Sequence, residues 1–258
     1  PNAAPPGSDG AAPAAIPHRR NAGHDGGTRW RDTMKGQEAA PETASCGIGA
    51  LFCVFTGMTR IPRLVVPGLA HHVTQRGNRR QTTFFRAFDY ELYRQLLAEQ
   101  CQRLSVAIWA YCLLPNHVHF IAVPIAAESL ARAVGETHRR YTTIINRREG
   151  WTGCLWQGRF SSFAMDEPHL YAATRYVLMN PVRAGLADRA VDWPYSSARA
   201  HVERGADDLV EVEGLDRRIG DWSALLADSS TWSERTRMRR HEKSGFPLGD
   251  ERFLAEIA

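Results

Sequence analysis

The apolar run from residue 111 to residue 123 constrains the fold of this chain more than any other segment. The run alternates, is rich in β-branched and aromatic residues and is broken at Pro115 and Asn116, so it predicts a buried strand or hairpin. His117 and His119 are two residues apart in it, and side chains at i and i+2 of a strand share one face. Both imidazoles then converge on one point, as two ligands of one metal ion require. The alternative is a pair of partly buried histidines that hydrogen bond to the backbone.

A second segment predicts a nucleophile and a third ligand. Residues 168–179 have helical periodicity, with Pro168 suited to a first helical turn and Pro181 to a position just past the helix end. Tyr176 and Asn180 are then one turn apart on a common face. Beside two strand histidines, a tyrosine hydroxyl and an amide oxygen would supply a nucleophile and a metal ligand.

Further blocks of sequence accompany these two segments in a specific order and spacing. They are residues 68–80 (GLAHHVTQRGNRR), 114–119 (LPNHVH), 155–160 (LWQGRF), 176–185 (YVLMNPVRAG) and 192–197 (DWPYSS). Together they resemble the REP-associated tyrosine transposases. These belong to the HUH single-strand nucleases, in which two histidines flank one hydrophobic residue. The resemblance starts at Met58 and extends to about Ala200.

The resemblance implies both a fold and a reaction. The fold is α+β, a ferredoxin-like or RRM-like antiparallel sheet covered by helices. The reaction is metal-dependent cleavage and transfer of single-stranded DNA at hairpin repeats, with Tyr176 as the catalytic nucleophile that becomes joined to the 5′-phosphate. His117 and His119 would act in catalysis by holding, with Asn180, a divalent ion. This mixed ligand set suits Mn²⁺ and tolerates Mg²⁺, and no small-molecule cofactor is expected.

Other functions and another nucleophile stay open at this point. The chain could be a non-catalytic nucleic-acid-binding relic of the same fold. It could also be a different HUH nickase, a replication initiator or relaxase, although no Gly-x-x-x-x-Gly-Lys segment supports the helicase such proteins often carry. Tyr141 is a rival nucleophile, but its spacing of five residues from Asn146 fits a shared helix face poorly.

Basic residues are unevenly placed although the formal net charge is only +4. No acidic residue occurs between Met58 and Phe88, and a second basic run covers residues 138–148, ahead of Trp156 and Phe160. Arginines interleaved with aromatics suit single-stranded nucleic acid; a solvated helix face, or aromatic core packing, is the alternative. The residues predicted to bind nucleic acid are Arg76, Arg79, Arg80, His72, Arg139, Arg140 and Arg159, and a supporting structural role is the alternative for His72.

Cysteine usage and hydropathy indicate the compartment. The five cysteines form no Cys-x-x-Cys pair, which argues against a disulfide framework and a cysteine zinc site and for a reducing cytosol. No stretch is long and apolar enough to span a membrane. We expect a cytoplasmic, nucleoid-associated protein that acts as a monomer or weak dimer. Its expected partner is single-stranded DNA with palindromic hairpins, without membrane contact.

The chain divides into three predicted regions. Residues 1–57 are rich in Ala, Pro and Gly and are expected to be a disordered extension, either a flexible tail or the product of an upstream start assignment, since the resemblance begins at Met58. Residues 58–204 form the transposase domain. Residues 205–258 form a basic arm with short helices, whose charged run at 233–243 is either solvated, in contact with DNA, or laid over the active site. Within the domain, helices are expected at 89–103, 128–148, 168–180 and 195–204, and strands at 64–66, 70–74, 106–123 and 159–165.

Overall fold

The computed structural model of the protein describes residues 63–227 and 232–257. Residues 57–258 form one compact unit. The predicted extension, residues 1–57, lies outside the described residues. Among the helices that are described, none combines the length and the apolar character needed to cross a bilayer.

Four antiparallel strands form a sheet in the order β2-β3-β1-β4. The strands are β1 (His71–Arg76), β2 (Val106–Leu114), β3 (His117–Pro124) and β4 (Ser161–Ala164). Helix α1 (Ala87–Arg103) connects β1 to β2, and helix α2 (Ser129–Glu149) connects β3 to β4. This βαββαβ order is that of a ferredoxin-like sheet, so the predicted α+β fold is confirmed. The hairpin of β2 and β3 turns at Pro115 and Asn116, where the sequence predicted a break.

Helices of the second half of the chain complete the unit. In the described residues they are α3 (Glu167–Leu178), α4 (Asn180–Arg183), α5 (Ala198–Glu203), α6 (Glu213–Asp216), α7 (Trp222–Ala227), α8 (Trp232–Ser244) and α9 (Glu251–Glu256). The segment after α8 follows the outer edge of β4, because the Leu248 N–H donates to the Ala164 carbonyl and the Leu248 carbonyl accepts from Asp166.

The sheet separates two apolar layers. On one face, Val118 and Phe120 of β3 pack in the same buried cluster as residues of α1 and α2. On the other face, Ile121 of β3 packs in the same cluster as Val177 of α3 and Met238 of α8. Because strand side chains alternate, His117 and His119 lie on the Ile121 side. His117 and His119 therefore face α3 and α8.

Two predicted elements differ from the structure. Residues 64–66 were expected to be a strand, yet they are not in one, because an apolar triplet does not by itself supply a pairing partner. The helix expected at 168–180 is divided, since α3 ends at Leu178 and α4 starts at Asn180. The physical reason is Pro181, which has no N–H to donate to the preceding turn and whose ring disfavours a regular helix there.

Candidate active site

Strand β3 presents its two histidines to the side of the sheet that α3 covers. In the antiparallel register with β1, His117 lies opposite Arg76 and His119 opposite Thr74. Directly opposed residues share a face, so the exposed Arg76 stands beside His117 at the end of β1. The centroids of the His117 and His119 rings are 5.0 Å apart, with one ring edge-on to the other. The two imidazoles are thus neighbours on one face, as the strand periodicity predicted.

A third histidine, His72 of β1, joins this pair. Its Nε2 lies 3.1 Å from Nδ1 of His119, with the ring planes parallel. His72 is 0% exposed, and this position beside His119 fits the supporting structural role that was the alternative to DNA contact. Burial lowers the pKa of His72 to about 3 and the pKa of His119 well below its ordinary value. Both imidazoles are therefore uncharged, which is the form that binds a metal.

Nδ1 of His117 hydrogen bonds with a neighbouring side chain, as Nδ1 of His119 does. Its Nδ1 lies 2.6 Å from Oδ1 of Asn116, so Nδ1–H donates and the lone pair resides on Nε2. Burial, and secondarily the charge of Arg76, lowers the pKa of His117 to about 4. An imidazole whose Nδ1 is fixed by a neighbouring group is oriented for coordination through the other nitrogen.

Tyr176 projects from α3 against the histidines. Its ring stands edge-on to His119 and His72, with centroid distances of 5.6 Å and 6.0 Å. The Arg183 guanidinium lies over the tyrosine ring at 4.5 Å from its centroid and also donates to the Tyr176 carbonyl. Burial and the nearby Glu242 carboxylate raise the pKa of the Tyr176 hydroxyl, while Arg183 and a hydrogen bond with Arg239 act against them. The hydroxyl is thus protonated and lies near the Glu242 carboxylate and the guanidinium groups of Arg183 and Arg239.

Glu242 of α8 is the group in this cluster that the sequence analysis missed. Its Oε1 lies 3.8 Å from Nδ1 of His119 and 4.0 Å from Nδ1 of His72. The carboxylate also hydrogen bonds with Tyr176. Burial raises the pKa of Glu242 to about 7, against the opposing effects of Arg76, Arg239, Tyr176 and Arg183. Glu242 lies in a run of charged residues, 66 positions after Tyr176. The local sequence gives no indication of this site, because only the tertiary fold brings Glu242 to the histidines.

The donor atoms fit a divalent cation. One ligand atom each from His72, His119 and Glu242 lies within 4.8 Å of the others. Asn180, the predicted oxygen ligand, begins α4 and is buried, and its Nδ2 has no hydrogen-bond partner among residues 63–227 and 232–257. Neutral imidazoles with a carboxylate are a suitable ligand set for a divalent first-row metal. The structure therefore brings His119 together with His72 and Glu242 in a set that differs from the predicted His117, His119 and Asn180.

The rival tyrosine lies elsewhere. Tyr141 is fully buried on the α2 side of the sheet, where its hydroxyl donates to the Thr83 carbonyl at 2.7 Å. Burial raises its pKa far above the ordinary value. Tyr141 is therefore a core residue, and Tyr176 is the tyrosine that contacts the histidine cluster.

The predicted DNA-binding arginines are exposed or half-buried. Arg79 and Arg80 lie in a 3-10 turn that follows β1, next to Arg76. Arg139 pairs with Glu136 on its own helix, and Arg140 pairs with Glu99 of α1. These two ion pairs are typical of a solvated helix face, which was the alternative interpretation of the basic run at residues 138–148. In the first basic segment, Arg76 lies beside His117.

A cavity of about 600 Å³ opens between α2 and the segment before β4. Arg63, Arg159 and Phe160 line it, together with His138 and Trp156. The Arg63 guanidinium lies 3.7 Å from the centroid of the Phe160 ring. Trp156 and Phe160 are also buried, so they pack the core and form a cationic, aromatic cavity wall at the same time.

The described domain is similar to known transposases. Residues 65–180 match the family model described as "Transposase IS200 like". A REP-associated tyrosine transposase of Escherichia coli (strain K12) is 25% identical over 119 residues, covering 45% of this chain and 69% of that protein. A Haemophilus influenzae protein that carries this name provisionally is 25% identical over 122 residues, covering 43% of this chain and 69% of its own length. A solved REP-associated tyrosine transposase bound to a REP hairpin has the same fold, with a TM-score of 0.50 and 23% identity over 60% of this chain and 93% of that chain.

Proposed function

We propose that this chain is a metal-dependent endonuclease and strand transferase acting on single-stranded DNA at hairpin repeats. The match of residues 65–180 to the IS200-like transposase model and the similarity to REP-associated tyrosine transposases support this proposal. The observation that carries the proposal is the position of the Tyr176 hydroxyl. It shares one buried cluster with two neutral histidines, a carboxylate and the Arg183 guanidinium.

The reaction follows from these contacts. Tyr176 Oη attacks a phosphodiester, so that an Oη–P bond forms and the bond from phosphorus to the 3′ oxygen breaks. The Glu242 carboxylate, with which the tyrosine hydroxyl hydrogen bonds, accepts its proton as the attack proceeds. The departing 3′ oxygen takes a proton from solvent and leaves as a hydroxyl. Because the covalent 5′-phosphotyrosine preserves the energy of the ester bond, a second 3′-hydroxyl reverses the step onto another strand.

Cationic side chains balance the charge on the phosphate. A Mn²⁺ or Mg²⁺ ion, when bound, would supply Lewis-acid polarisation of the non-bridging oxygens, and His119, with His117 and Asn180 as further candidate ligands, would hold it. Arg183 and Arg239 lie beside the hydroxyl, where they attract the phosphate and offset the negative charge that develops on Oη.

Hairpin DNA is the proposed substrate. The solved relative with the same fold is one bound to a REP hairpin. In this chain, the exposed Arg76, Arg79 and Arg80 form a basic patch next to His117. The cavity lined by Arg63 and Trp156 is a second proposed surface for the strand, with an arginine to bind phosphate and an aromatic ring to stack on a base.

The test is a cleavage assay on end-labelled single strands that carry the hairpin repeats flanking the chain's own gene. Wild type is expected to form a covalent adduct with Mn²⁺ or Mg²⁺ and none with EDTA. Tyr176→Phe should bind the same DNA without forming the adduct, because it lacks only the hydroxyl. Tyr171→Phe, on the same helix, is the matched control and should behave as wild type.

Two results would contradict the proposal. An adduct that persists in Tyr176→Phe would show that a residue other than Tyr176 is the nucleophile. Binding without an adduct in either metal would identify a DNA-binding relic of the fold.

A further inference from the structure

The turn between β2 and β3 holds the turn that follows β1, residues 77–81, which we call the arginine turn. The Asn116 carbonyl accepts the Gly77 N–H at 2.8 Å. A Cβ added at Gly77 would collide with the Gln81 carbonyl oxygen, so a larger residue there would force the arginine turn to shift. The backbone of this turn is therefore fixed against the residue that precedes His117.

The side chain of Asn116 hydrogen bonds on two sides. Its Nδ2 lies 3.1 Å from the Arg80 carbonyl oxygen, and its Oδ1 lies 2.6 Å from Nδ1 of His117. A backbone carbonyl can only accept a hydrogen bond, so the NH₂ group of Asn116 faces Arg80 and the amide oxygen faces the imidazole. An amide oxygen also can only accept, so His117 carries its proton on Nδ1. The Arg80 carbonyl thus determines the tautomer of His117 through one side chain.

This chain of hydrogen bonds joins two parts of the proposed site. The arginine turn is exposed and cationic, whereas His117 is half-buried on the face of the sheet that α3 covers. An imidazole acts through the nitrogen that its other hydrogen bond leaves free, so its tautomer decides what it can do. A strand that binds the arginine turn also stabilises the carbonyl that fixes His117.

We propose that Asn116 is a positioning residue that couples the arginine turn to His117. Bound DNA holds the turn, the turn holds the Asn116 amide, and the amide holds the imidazole with its lone pair on Nε2. The part played by DNA rests on the proposed function. The tautomer is a property of the chain alone and is tested without DNA.

The first test records the ring nitrogens of His117 by long-range proton–nitrogen NMR correlation. The full chain, labelled with ¹⁵N-histidine, is measured without DNA at pH 7.5, and His117→Gln identifies the signals. Wild type is expected to have the proton on Nδ1. Asn116→Ala should lose this preference, whereas Asn116→Asp should keep it, because a carboxylate oxygen also accepts from Nδ1. Gln95→Ala removes an exposed amide that hydrogen bonds within α1; it is the matched control and should leave the signals unchanged.

Gly77→Ala tests the coupling from the side of the turn. The added Cβ displaces the turn, so the Arg80 carbonyl should lose the Asn116 amide. The His117 signals should then move towards those of Asn116→Ala although residue 116 is unchanged. Gly135→Ala is the control, because a Cβ added there meets nothing within 4 Å among the described residues beyond its own helix backbone and chain neighbours.

The second test measures the rate of adduct formation at a saturating concentration of the hairpin strand. Asn116→Ala should be about 10- to 100-fold slower than wild type, the loss typical when the hydrogen-bond partner of a ligating histidine is removed. Asn116→Asp should recover most of the rate. A purely structural role for residue 116 would instead predict that the rate follows folded stability and not the tautomer.

The outcomes distinguish this inference from the proposed function. A proton on Nε2 of His117 in wild type would overturn the inference, and this measurement needs no variant to fold. An unchanged tautomer in folded Asn116→Ala, or unchanged His117 signals in folded Gly77→Ala, would overturn it while a Tyr176-dependent adduct still stands. The expected changes of tautomer in a protein whose wild type forms no adduct would support the coupling and reject the nuclease.

Discussion

Two arginines next to the active site adopt an unfavourable backbone conformation. Arg79 and Arg80 have φ angles of 52° and 61°, in the left-handed region that costs a non-glycine residue about 1–2 kcal/mol. Both side chains are exposed, so core packing does not compensate the strain. Local strain that persists in an exposed cationic turn indicates a functional constraint on that turn. It agrees with the prediction that these arginines contact DNA.

Substitutions at these positions separate stability from DNA binding. Arg79→Gly and Arg79→Ala should both weaken binding of the hairpin strand and reduce its salt dependence by about one phosphate contact. The glycine variant should be more stable than the alanine variant by about 0.5–1 kcal/mol, because glycine adopts a positive φ without strain but loses more chain entropy on folding. Fluorescence anisotropy at several salt concentrations and urea unfolding measure the two effects. Arg252→Ala is the control, and an unchanged salt slope in the Arg79 variants would exclude a phosphate contact.

At the scale of elements, one ion pair joins the start of α1 to the end of α2. Asp89 is fully buried; its Oδ2 accepts the Phe85 and Arg86 N–H groups at 2.8 Å and 3.1 Å, and its carboxylate pairs with Arg148. Asp89→Asn should destabilise the domain by about 2–4 kcal/mol, because Arg148 loses the buried one of its two carboxylate partners and keeps only Glu149. Urea unfolding measures this loss. Arg252→Gln, which breaks the exposed pair with Glu256, is the control and should cost less than about 1 kcal/mol.

The same carboxyl group makes unfolding sensitive to acid. Burial alone would raise its pKa, but hydrogen bonds with Arg148 and with the Phe85 N–H more than offset burial, so the pKa of Asp89 lies below its ordinary value of 3.8. A carboxyl pKa that is lower in the folded state contributes stability above about pH 3.8, and the contribution is lost as the pH falls through the folded pKa. The stability difference between wild type and Asp89→Asn should therefore narrow below pH 4. A difference that stays constant to pH 3 would contradict this.

Local sequence patterns predicted local structure, and the errors occurred where distant segments meet. The turn at Pro115 and Asn116 was predicted because proline and asparagine interrupt an alternating run, and the strand period alone placed His117 and His119 on one face. The role of Glu242 could not be predicted. Its neighbours in sequence are charged, and its neighbours in space come from β1, β3 and α3. For His72 the sequence left DNA contact and structural support open for the same reason, since burial depends on which helix covers a strand.

At the scale of the whole molecule, buried neutral histidines make folding depend on pH. Burial lowers the pKa of His71 to about 4 and the pKa of His138 to about 3. His138 packs against Trp156 and lies with Nε2 at 2.9 Å from the Tyr93 hydroxyl, and Arg63 further disfavours its charged form. A histidine whose folded pKa lies below its unfolded value contributes stability above about pH 6.5, and this is lost as the pH falls towards the folded pKa.

The domain should therefore lose stability between pH 6.5 and pH 5 by about 1–2 kcal/mol for each such histidine. Urea unfolding at closely spaced pH values measures this slope. At pH 7.5, His138→Gln should be less stable than wild type because it loses packing. Its stability should fall less steeply as the pH decreases, because glutamine takes up no proton on unfolding. Thr143→Ser, at an exposed position without a titratable group, is the control and should retain the wild-type slope. If the stabilities of wild type and His138→Gln fall in parallel as the pH decreases, His138 is protonated in the folded protein. That result would contradict the prediction from its burial.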